Sequence, residues 1–206
     1  MSLELELKLG IKQLGLELSA ETQQKLMGYL ALLQKWNKVY NLTAIRNAEQ
    51  MVSNHLLDSL AVLPHLWPGK WLDVGCGAGL PGVVLAIARP DWHFTLVDSN
   101  SKKTSFVQQV CIELGLQNIK VSCGRVEELA GNVKFDGIIS RAFAETSEFV
   151  KLTRHLLAEK GRWAAMKGAP EQELQRLSGD VEVEQIIPLS VLGLNAARCL
   201  VILKAK

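Results

Sequence analysis

The sequence predicts an α/β fold in which a small helical region precedes a mostly parallel, seven-stranded sheet with a terminal antiparallel hairpin. Apolar residues recur at helical spacing over the first 65 or so positions. Beyond them, short apolar runs alternate with helical segments, which is typical of parallel strands joined by crossover helices. The last two runs are joined by a short stretch without a helix, Ser190 to Ala197, which predicts the hairpin.

The boundary between the two regions is predicted at Trp67-Pro68-Gly69, which gives a helical region over residues 1–66 that packs on a core over residues 67–206. Ser19 is a plausible N-cap for the first strongly patterned helix. The apolar stripe of this helix, expected in the core, consists of Leu26, Leu30, Leu33, Trp36 and Tyr40. A second stripe, which ends at Pro64, consists of Val52, Leu56, Leu60 and Leu63.

The elements of the core follow from the same patterns. Strands are expected near 70–74, 93–98, 119–123, 135–140, 161–166, 182–189 and 198–204. Helices are expected near 81–89, 101–115, 126–130, 145–158 and 170–178. The chain shows no internal repeat, which excludes repeat architectures such as solenoids and propellers.

Length and composition fit one globular domain with a small appendage. The 206 residues are 48% hydrophobic and 21% charged, and the net charge is only +2, so bulk charge gives no argument for nucleic acid binding. The four cysteines are scattered, which predicts reduced thiols and neither a zinc site nor disulfides. Because the N-terminus is acidic and no apolar run approaches about 18 residues, we expect a cytoplasmic protein without membrane segments.

Three glycines, Gly75, Gly77 and Gly79, directly follow the first predicted strand. Glycine permits positive φ and lets a ligand approach bare backbone, so this turn is a candidate cofactor site. Gly77 also begins the spacing G-x-G-x-x-G, which ends at Gly82 and is typical of dinucleotide-binding proteins. The glycines alone therefore leave open a methyltransferase and an NAD-dependent oxidoreductase.

Two carboxylates favour the methyltransferase. Asp73 at the mouth of the turn would repel a pyrophosphate but attract a ligand that carries sulfonium and ammonium charges. Asp98 ends the second predicted strand, where a carboxylate can accept both hydroxyls of a cofactor ribose. The alternative is that Asp73 caps the following turn and Asp98 caps the helix containing Lys102 and Lys103. Side by side at a glycine turn, the two carboxylates predict a class I Rossmann-like methyltransferase that binds S-adenosylmethionine.

The segment after the fourth predicted strand constrains the methyl acceptor. It reads Ser140-Arg141-Ala142-Phe143 and contains neither the Asn/Asp-Pro-Pro-aromatic motif of exocyclic amine methylation nor a Pro-Cys nucleophile. Methyl transfer requires mainly alignment, with a base only where the nucleophile carries a proton. A ring nitrogen such as guanine N7 needs no base, so an arginine-bearing loop is compatible with that acceptor without being diagnostic of it.

Five cations are expected around the mouth of the cofactor site. Four of them follow the carboxyl ends of predicted parallel strands, and the fifth begins the last strand at the same edge. They are Lys102, Arg125, Arg141, Lys167 and Arg198. Such a rim suits an RNA phosphate backbone, although each residue could equally be a solvated or ion-paired surface side chain.

Two pairs of residues in the helical region are candidates for the same cleft. Trp36 and Tyr40 are expected in the core rather than stacked on bases, because they lie on the apolar stripe. His55 and Asp58 are three residues apart and are therefore neighbours on a helix. That spacing fits either a hydrogen-bonded pair over the cofactor mouth or a plain surface pair, and periodicity does not choose between them.

Together these motifs resemble one family, the bacterial ribosomal RNA small subunit methyltransferase G family, also called glucose-inhibited division protein B. The resemblance covers nearly the whole chain and rests on the order and spacing of short motifs. They are Trp36-Asn37-Lys38, Asn41-Leu42-Thr43, His55-x-x-Asp58-Ser59, Asp73-Val74-Gly75-x-Gly77-x-Gly79-x-Pro81-Gly82, Asp98-Ser99, Lys102-Lys103, Arg125-Val126-Glu127-Glu128, Ser140-Arg141-Ala142 and Lys167-Gly168. Two positions depart from the family, which often has Ser or Thr in place of Cys76 and Arg in place of Lys103.

The resemblance implies methyl transfer from S-adenosylmethionine to N7 of one guanine in 16S rRNA, guanine 527 in the usual numbering of that RNA. The expected partner is 16S rRNA, the small ribosomal subunit or an assembly intermediate. The protein itself is expected to be a monomer that binds no metal and no membrane. An NAD-dependent oxidoreductase and a non-catalytic RNA-binding assembly factor are the alternatives.

The motifs and the resemblance together give a predicted site. The cofactor-binding residues are expected to be Asp73, Gly75, Gly77, Gly79, Leu80, Asp98, Val126, Glu127 and Arg141. The catalytic residues are expected to be Arg141, Lys167 and Arg125. Contacts with the RNA are expected from Asn41, His55, Lys102, Arg125, Lys167 and Arg198.

Overall fold

Seven strands form a single sheet in the computed structural model, which describes residues 2–206. Met1, the first residue of the predicted helical region, lies outside these residues. The strands are β1 (Lys70–Val74), β2 (His93–Asp98), β3 (Ile119–Cys123), β4 (Phe135–Arg141), β5 (Leu157–Lys167), β6 (Val181–Pro188) and β7 (Cys199–Ala205). All seven lie where the sequence pattern places them, which confirms the α/β prediction.

The strand order is β3-β2-β1-β4-β5-β7-β6. The first five strands are parallel, whereas β7 runs antiparallel to both β5 and β6. The predicted terminal hairpin is therefore confirmed. From β1 the chain builds the sheet outward through β2 and β3, and then returns to start again at β4 on the other side of β1. Sheets of this kind bind ligands where the order reverses, at the carboxyl ends of β1 and β4.

The crossover helices confirm the predicted alternation but are shorter than expected. They are α5 (Gly82–Ala88), α6 (Ser101–Glu113), α7 (Thr146–Thr153) and α8 (Glu171–Leu174). The helix predicted near 126–130 is one 3-10 turn, Val126–Glu128. The helix predicted near 145–158 stops early because Leu157 already pairs with Phe135 as the start of β5. The helix predicted near 170–178 is also shorter, and no residue of α8 is fully buried, although Leu174 and Leu177 pack partly buried against the core.

The helical region consists of α1 (Leu3–Gln13), α2 (Ala20–Tyr40), α3 (Ala48–Met51), a π-helix (Val52–Leu57), α4 (Asp58–Leu60) and a 3-10 turn (Leu63–His65). Ser19 caps α2 as predicted, since its hydroxyl accepts from the Thr22 N–H at 3.1 Å. The first three stripe residues are buried and Trp36 is half-buried, but the prediction for Tyr40 is wrong. Tyr40 is 45% exposed because the last turn of α2 reaches the surface, where the centre of its ring lies 5.2 Å from that of Trp36 with the two rings tilted by 35°.

The second predicted stripe forms in a different way. Two helical segments and a π-helix between them replace one continuous α-helix, and nearly every residue from Met51 to Leu63 is buried. A π-helix accommodates an extra residue in its turn and is found frequently at functional sites. The segment is therefore buried on all sides rather than along one face.

Helices of the N-terminal region pack on the core through apolar and polar contacts. Leu26, Leu30 and Leu56 belong to the same buried cluster as Val84 and Phe106 from α5 and α6. The buried Tyr29 hydroxyl donates to the Ala78 carbonyl oxygen at 2.8 Å, which ties α2 to the glycine turn. The division at residue 66 stays a prediction. Within residues 2–206, no helix has both the length and the apolar character needed to cross a membrane.

Candidate active site

A cleft of about 430 Å³ opens at the carboxyl ends of β1, β2 and β4. This glycine cleft is lined by Val74, Gly75, Val97, Asp98, Ser99, Lys103, Gly124, Arg125, Val126, Glu127, Ala142, Phe143, Ala144, Glu148 and Leu152. Four of the predicted cofactor residues, Gly75, Asp98, Val126 and Glu127, therefore line one cavity. Its volume is in the range of ordinary small-ligand pockets, about 300–1,000 Å³.

The glycine turn needs glycine for two separate reasons. Gly75, Gly77 and Gly79 have φ of 65°, 56° and 90°, in the left-handed region that side chains disfavour. A Cβ added to Gly75 would also lie 2.6 Å from the Phe143 ring, and one on Gly79 would collide with Val83. Gly79 and Leu80 are buried and do not line the cleft, so in this structure they support the turn rather than face the cavity.

Asp98 lies at the edge of the cleft with its carboxylate fixed by backbone. Its Oδ2 accepts from the Gly77 N–H and its Oδ1 from the Asn100 N–H, both at 2.8 Å. The alternative that Asp98 caps α6 is wrong, because the Asn100 side chain accepts from the Lys102 N–H at 3.0 Å and is the cap. Each carboxylate oxygen has a second lone pair available for a ligand.

Asp73 is fully buried below the turn. Its Oδ2 accepts from the N–H of Gly82, the first residue of α5, at 2.7 Å. This oxygen therefore has the capping role that the sequence analysis gave as the alternative for Asp73. Its Oδ1 has no hydrogen-bond partner among residues 2–206. Burial raises the pKa of Asp73 to about 7, against the opposing effects of the Gly82 hydrogen bond and the Arg141 charge. A buried carboxyl oxygen without a partner is suited to a cationic ligand that ionises it.

A second cavity of about 410 Å³ adjoins the glycine cleft, and the two share Ala142, Phe143 and Ala144. This arginine pocket is lined by Arg141, Ala142, Phe143, Ala144, Glu145, Met166, Lys167, Gly168, Glu173 and Arg198. Ala142 has φ of 54°, a left-handed conformation that is uncommon for alanine, and it turns the chain between the two cavities.

Three of the five predicted cations meet in the arginine pocket, since β4, β5 and β7 are consecutive in the sheet. Lys167 donates from Nζ to the Ala144 carbonyl oxygen and to Glu173 Oε2, both at 2.7 Å. Glu173 Oε2 also accepts from the backbone N–H and the hydroxyl of Thr146. Burial opposes ionisation of Glu173, but the hydrogen bonds from Lys167 and Thr146 outweigh it and lower its pKa. This ion pair fixes the Lys167 ammonium at the pocket wall.

Arg141 and Arg198 share one carboxylate, that of the fully buried Asp58. Arg141 donates from Nη1 to Asp58 Oδ2 at 3.0 Å and to the Asn54 carbonyl oxygen at 2.8 Å. Arg198 donates from Nε to Asp58 Oδ1 at 3.1 Å. Both arginines are thus held from the helical region, 83 and 140 positions away in sequence from Asp58.

His55 and Asp58 form neither of the two pairs that their spacing allowed, because both are buried and they do not bond to each other. The His55 Nε2 lies 3.2 Å from the Thr43 hydroxyl. Burial, aided by the Arg141 charge, lowers the pKa of His55 to about 4, so the ring is neutral at pH 7. The structure places His55 beneath the pocket rather than at its surface.

The remaining predicted RNA contacts are exposed and lie apart from the arginine pocket. Lys102 is in the first turn of α6, and Asn41 ends α2 with its side-chain oxygen bonded to Arg46 at 3.1 Å. Arg125 lines the glycine cleft with its side chain 71% exposed and only 3.8 Å from Glu127. The five cations therefore divide into three that are partly buried and ion-paired and two that are solvated.

Phe143 is a site residue that the sequence analysis did not assign. Its ring touches the glycine turn at Gly75, lines both cavities and lies 6.5 Å from the Phe149 ring. The only available signal was its position two residues after Arg141. Residues 2–206 contain no group of three or more His, Cys, Asp or Glu side chains placed to share a metal ion.

Comparison with known proteins points to one family. The family model described as rRNA small subunit methyltransferase G matches residues 22–201. A Ribosomal RNA small subunit methyltransferase G from Laribacter hongkongensis is 54% identical over 202 residues, 98% of each chain. The protein of the same name from Chromobacterium violaceum is 56% identical over 198 residues, 95% of each chain.

Among solved structures, coclaurine N-methyltransferase bound to N-methylheliamine and SAH superposes with a TM-score of 0.57. The match covers 91% of this chain and 67% of that one at 13% identity, so it concerns the fold alone. The predicted Rossmann-like methyltransferase fold is confirmed. On sequence, the chain belongs to the rRNA small subunit methyltransferase G family.

Proposed function

We propose that this protein transfers the methyl group of S-adenosylmethionine to N7 of a single guanine in 16S rRNA, guanine 527 in the usual numbering. The observation that carries the proposal is the wall of Ala142, Phe143 and Ala144 shared by the two cavities. A methyl donor in the glycine cleft and a base in the arginine pocket would come together beside this shared segment. Family membership supports rRNA of the small subunit as the source of the base.

The residues of the glycine cleft fit S-adenosylmethionine, which supplies a methyl group on a cationic sulfur. Asp98 would accept the ribose hydroxyls, and Val126 and Glu127 would lie beside the adenine. Gly75 leaves the backbone bare next to the ligand. The free Oδ1 of Asp73 would favour the positive charges of the cofactor, which in turn would favour ionised Asp73.

The arginine pocket fits a guanine whose N7 attacks without losing a proton. Such a nucleophile needs alignment and no general base, and the pocket offers donors from Arg141, Lys167 and Arg198. We assign these donors to the guanine O6 and to the phosphates, which leaves the N7 lone pair free for the methyl group. Arg125 would contact the RNA from the cofactor side.

Exposed residues around the two cavities extend the proposed RNA contact. Lys102 and Asn41 would meet the backbone away from the reacting base, whereas His55 would act through Thr43 because its ring is buried. We propose that the protein acts as a monomer in the cytoplasm on 16S rRNA, the small subunit or an assembly intermediate. Light scattering of the purified protein checks the monomer.

The proposal is tested by tritiated methyl transfer to small-subunit material from cells that lack this gene. Naked 16S rRNA, intact subunits and assembly intermediates are offered separately, and the label is mapped by nuclease digestion. We expect label on N7 of one guanine. Label on another base contradicts the N7 assignment, and no label on any RNA favours a non-catalytic assembly factor.

An Arg141→Ala variant with an Arg154→Ala control tests the arginine pocket in the same assay. Arg154 is also ion-paired, with Asp180 at 2.9 Å, but lies outside both cavities. We expect Arg141→Ala to lose at least about 100-fold in kcat, because it removes donors that act only on the aligned base, and the control to lose less than about twofold. Normal turnover by Arg141→Ala removes this residue from the site.

A further inference from the structure

Asp58 is the buried centre of an ion-pair cluster that the proposed chemistry does not itself require. It is fully buried, and each of its two carboxylate oxygens accepts a hydrogen bond from a different arginine. Removal of a charge from water is costly unless it is fully paired, so this carboxylate is stable only with both guanidinium groups in place. The arrangement of the two arginines is therefore coupled through one side chain.

The two arginines direct their remaining donors away from Asp58. Arg141 uses only Nη1 for its bonds to Asp58 and Asn54, which leaves Nε and Nη2 without partners among residues 2–206. Arg198 uses Nε for Asp58 and Nη1 for the Ala197 carbonyl oxygen, which leaves Nη2. Their side chains remain 22% and 29% exposed, and both line the arginine pocket. The free donors are thus available to a ligand in that pocket.

The charge balance of the pocket supports an anionic ligand. Arg141, Lys167 and Arg198 face two carboxylates, Asp58 and Glu173, while Glu145 at the rim is paired with Arg176. One positive charge remains, and it belongs to the pair of arginines that share Asp58. A nucleotide phosphate or the partly negative O6 of guanine fits this remaining charge.

We propose that Asp58 is the positioning residue that aligns Arg141 and Arg198 on the acceptor nucleotide, so that the helical region forms part of the active site. The inference rests on the proposed function, because it assumes an RNA base in the arginine pocket. Asp58 itself touches no substrate. It holds one nitrogen of each guanidinium group and thereby fixes the direction in which the others point.

The test compares Asp58→Asn with the wild type and with Ser59→Ala. Asparagine keeps the shape but removes the negative charge, so the pocket gains one net positive charge while the arginines lose their alignment. We expect kcat to fall by at least about tenfold while the affinity for RNA stays equal or increases. The plot of log binding constant against log salt concentration should become steeper by up to about 0.7. Ser59 is the adjacent buried residue, and its hydroxyl has no partner among residues 2–206, so Ser59→Ala should behave as the wild type.

A merely structural role predicts a different result. Partial unfolding would lower turnover and the number of RNA-binding sites together and would leave the salt dependence unchanged. That outcome overturns the inference, and so does kcat within about twofold of the wild type. Slower turnover with undiminished RNA binding indicates that Asp58 positions the arginines, whereas a parallel loss of both indicates that it only stabilises the fold.

A second variant keeps the inference testable if Asp58→Asn does not fold. The double variant Asp58→Asn, Arg198→Gln restores the net charge of the pocket and leaves Arg141, which is partly exposed, as the one arginine without its carboxylate partner. Compared with Arg198→Gln alone, it should be slower by at least about fivefold, because Arg141 has lost its alignment. Equal rates for the two variants overturn the inference.

The same measurements separate this inference from the proposed function. All rates are taken as total methyl transfer relative to the wild type, whichever base carries the label. Label on a base other than guanine N7, with the expected Asp58→Asn effect, contradicts the proposed function alone. Correct guanine labelling with an Asp58→Asn variant as fast as the wild type contradicts the inference alone, and a wild-type protein that methylates no RNA overturns both.

Discussion

The glycine cleft and the arginine pocket lie side by side at one edge of the sheet but are held together by different forces. At the cleft and directly below it, backbone N–H groups of Gly77, Gly82 and Asn100 fix the carboxylates of Asp98 and Asp73, and no donor is more than 21 positions from its acceptor in sequence. In the pocket, side-chain ion pairs fix three cations: Asp58, which pairs with both arginines, is 83 and 140 positions away from them, whereas Glu173 is six positions from Lys167. A backbone change should therefore damage the first cavity, and a charge change the second.

The largest effect that separates the two cavities is expected from Gly75→Ala. The left-handed φ of 65° costs a side chain about 1–2 kcal/mol, and the added Cβ meets the Phe143 ring. We expect binding of S-adenosylhomocysteine, measured by calorimetry, to weaken roughly 10- to 100-fold while RNA binding is retained. Gly15→Ala is the control, since Gly15 has φ of 68° with open space around it and lies outside both cavities. Unchanged cofactor affinity in Gly75→Ala contradicts the role of the bare turn.

An intermediate effect, which depends on pH, is expected from Asp73→Asn. The pKa of Asp73 is about 7 in the folded protein against an ordinary value of 3.8. Between these two pH values, Asp73 is therefore protonated in the folded protein but ionised in the unfolded chain. Stability of the wild type should consequently fall as the pH rises from about 4 to about 7 and then level off. Asp73→Asn has no carboxyl group to titrate, so its melting temperature should rise relative to that of the wild type as the pH increases across that interval.

The same variant tests the preference for a cationic cofactor. In the wild type, affinity for S-adenosylmethionine relative to the uncharged sulfur of S-adenosylhomocysteine should rise between pH 6 and pH 8, as Asp73 ionises, by roughly 10-fold. In Asp73→Asn the ratio should be independent of pH. Asp136→Asn is the control, because Asp136 also accepts one backbone N–H, that of Lys70 at 2.8 Å, at the opposite edge of the sheet. A pH-independent ratio in the wild type removes Asp73 from cofactor selection.

The smallest effect is expected in the arginine pocket from Glu173→Gln. The change removes the negative charge that holds the Lys167 ammonium, but Lys167 keeps its bond to the Ala144 carbonyl oxygen. We expect kcat to fall about 3- to 10-fold with S-adenosylhomocysteine affinity unchanged. Glu184→Gln is a matched control, since Glu184 lies on the edge strand β6, is paired with Arg162 of β5, and has a side chain that is 27% exposed against 28% for Glu173. A loss of cofactor affinity in Glu173→Gln would show that the two cavities are not independent.

The contrast between the cavities also explains how far the sequence could predict them. Strands such as β1 and β2 are short, largely apolar runs with a carboxylate at or next to their last residue, so both their positions and the placement of Asp73 and Asp98 follow from local order. The capping alternatives were harder to decide. The sequence analysis considered only Asp98 as the cap of α6, and the structure shows that Asn100, two residues later, fills that role.

The arginine pocket was less predictable because the contacts of its two arginines are not local. Sequence spacing relates His55 to Asp58, whereas the partners of Asp58 are Arg141 and Arg198. No periodicity connects such distant positions, and the charge of each arginine alone fits a solvated surface residue equally well. The exposure of Tyr40 was missed for a related reason, since a regular stripe does not show where the packed part of a helix ends.

The π-helix at Val52–Leu57 makes the spacing of residues along this segment matter more than the identity of most of them. Loss of one residue there would convert the segment to an α-helix and rotate everything before it by about 100° relative to Asp58. The Asn54 carbonyl oxygen would then leave Arg141, and His55 would leave Thr43. Single-residue deletions in this stretch should accordingly be tolerated far less well than conservative apolar substitutions.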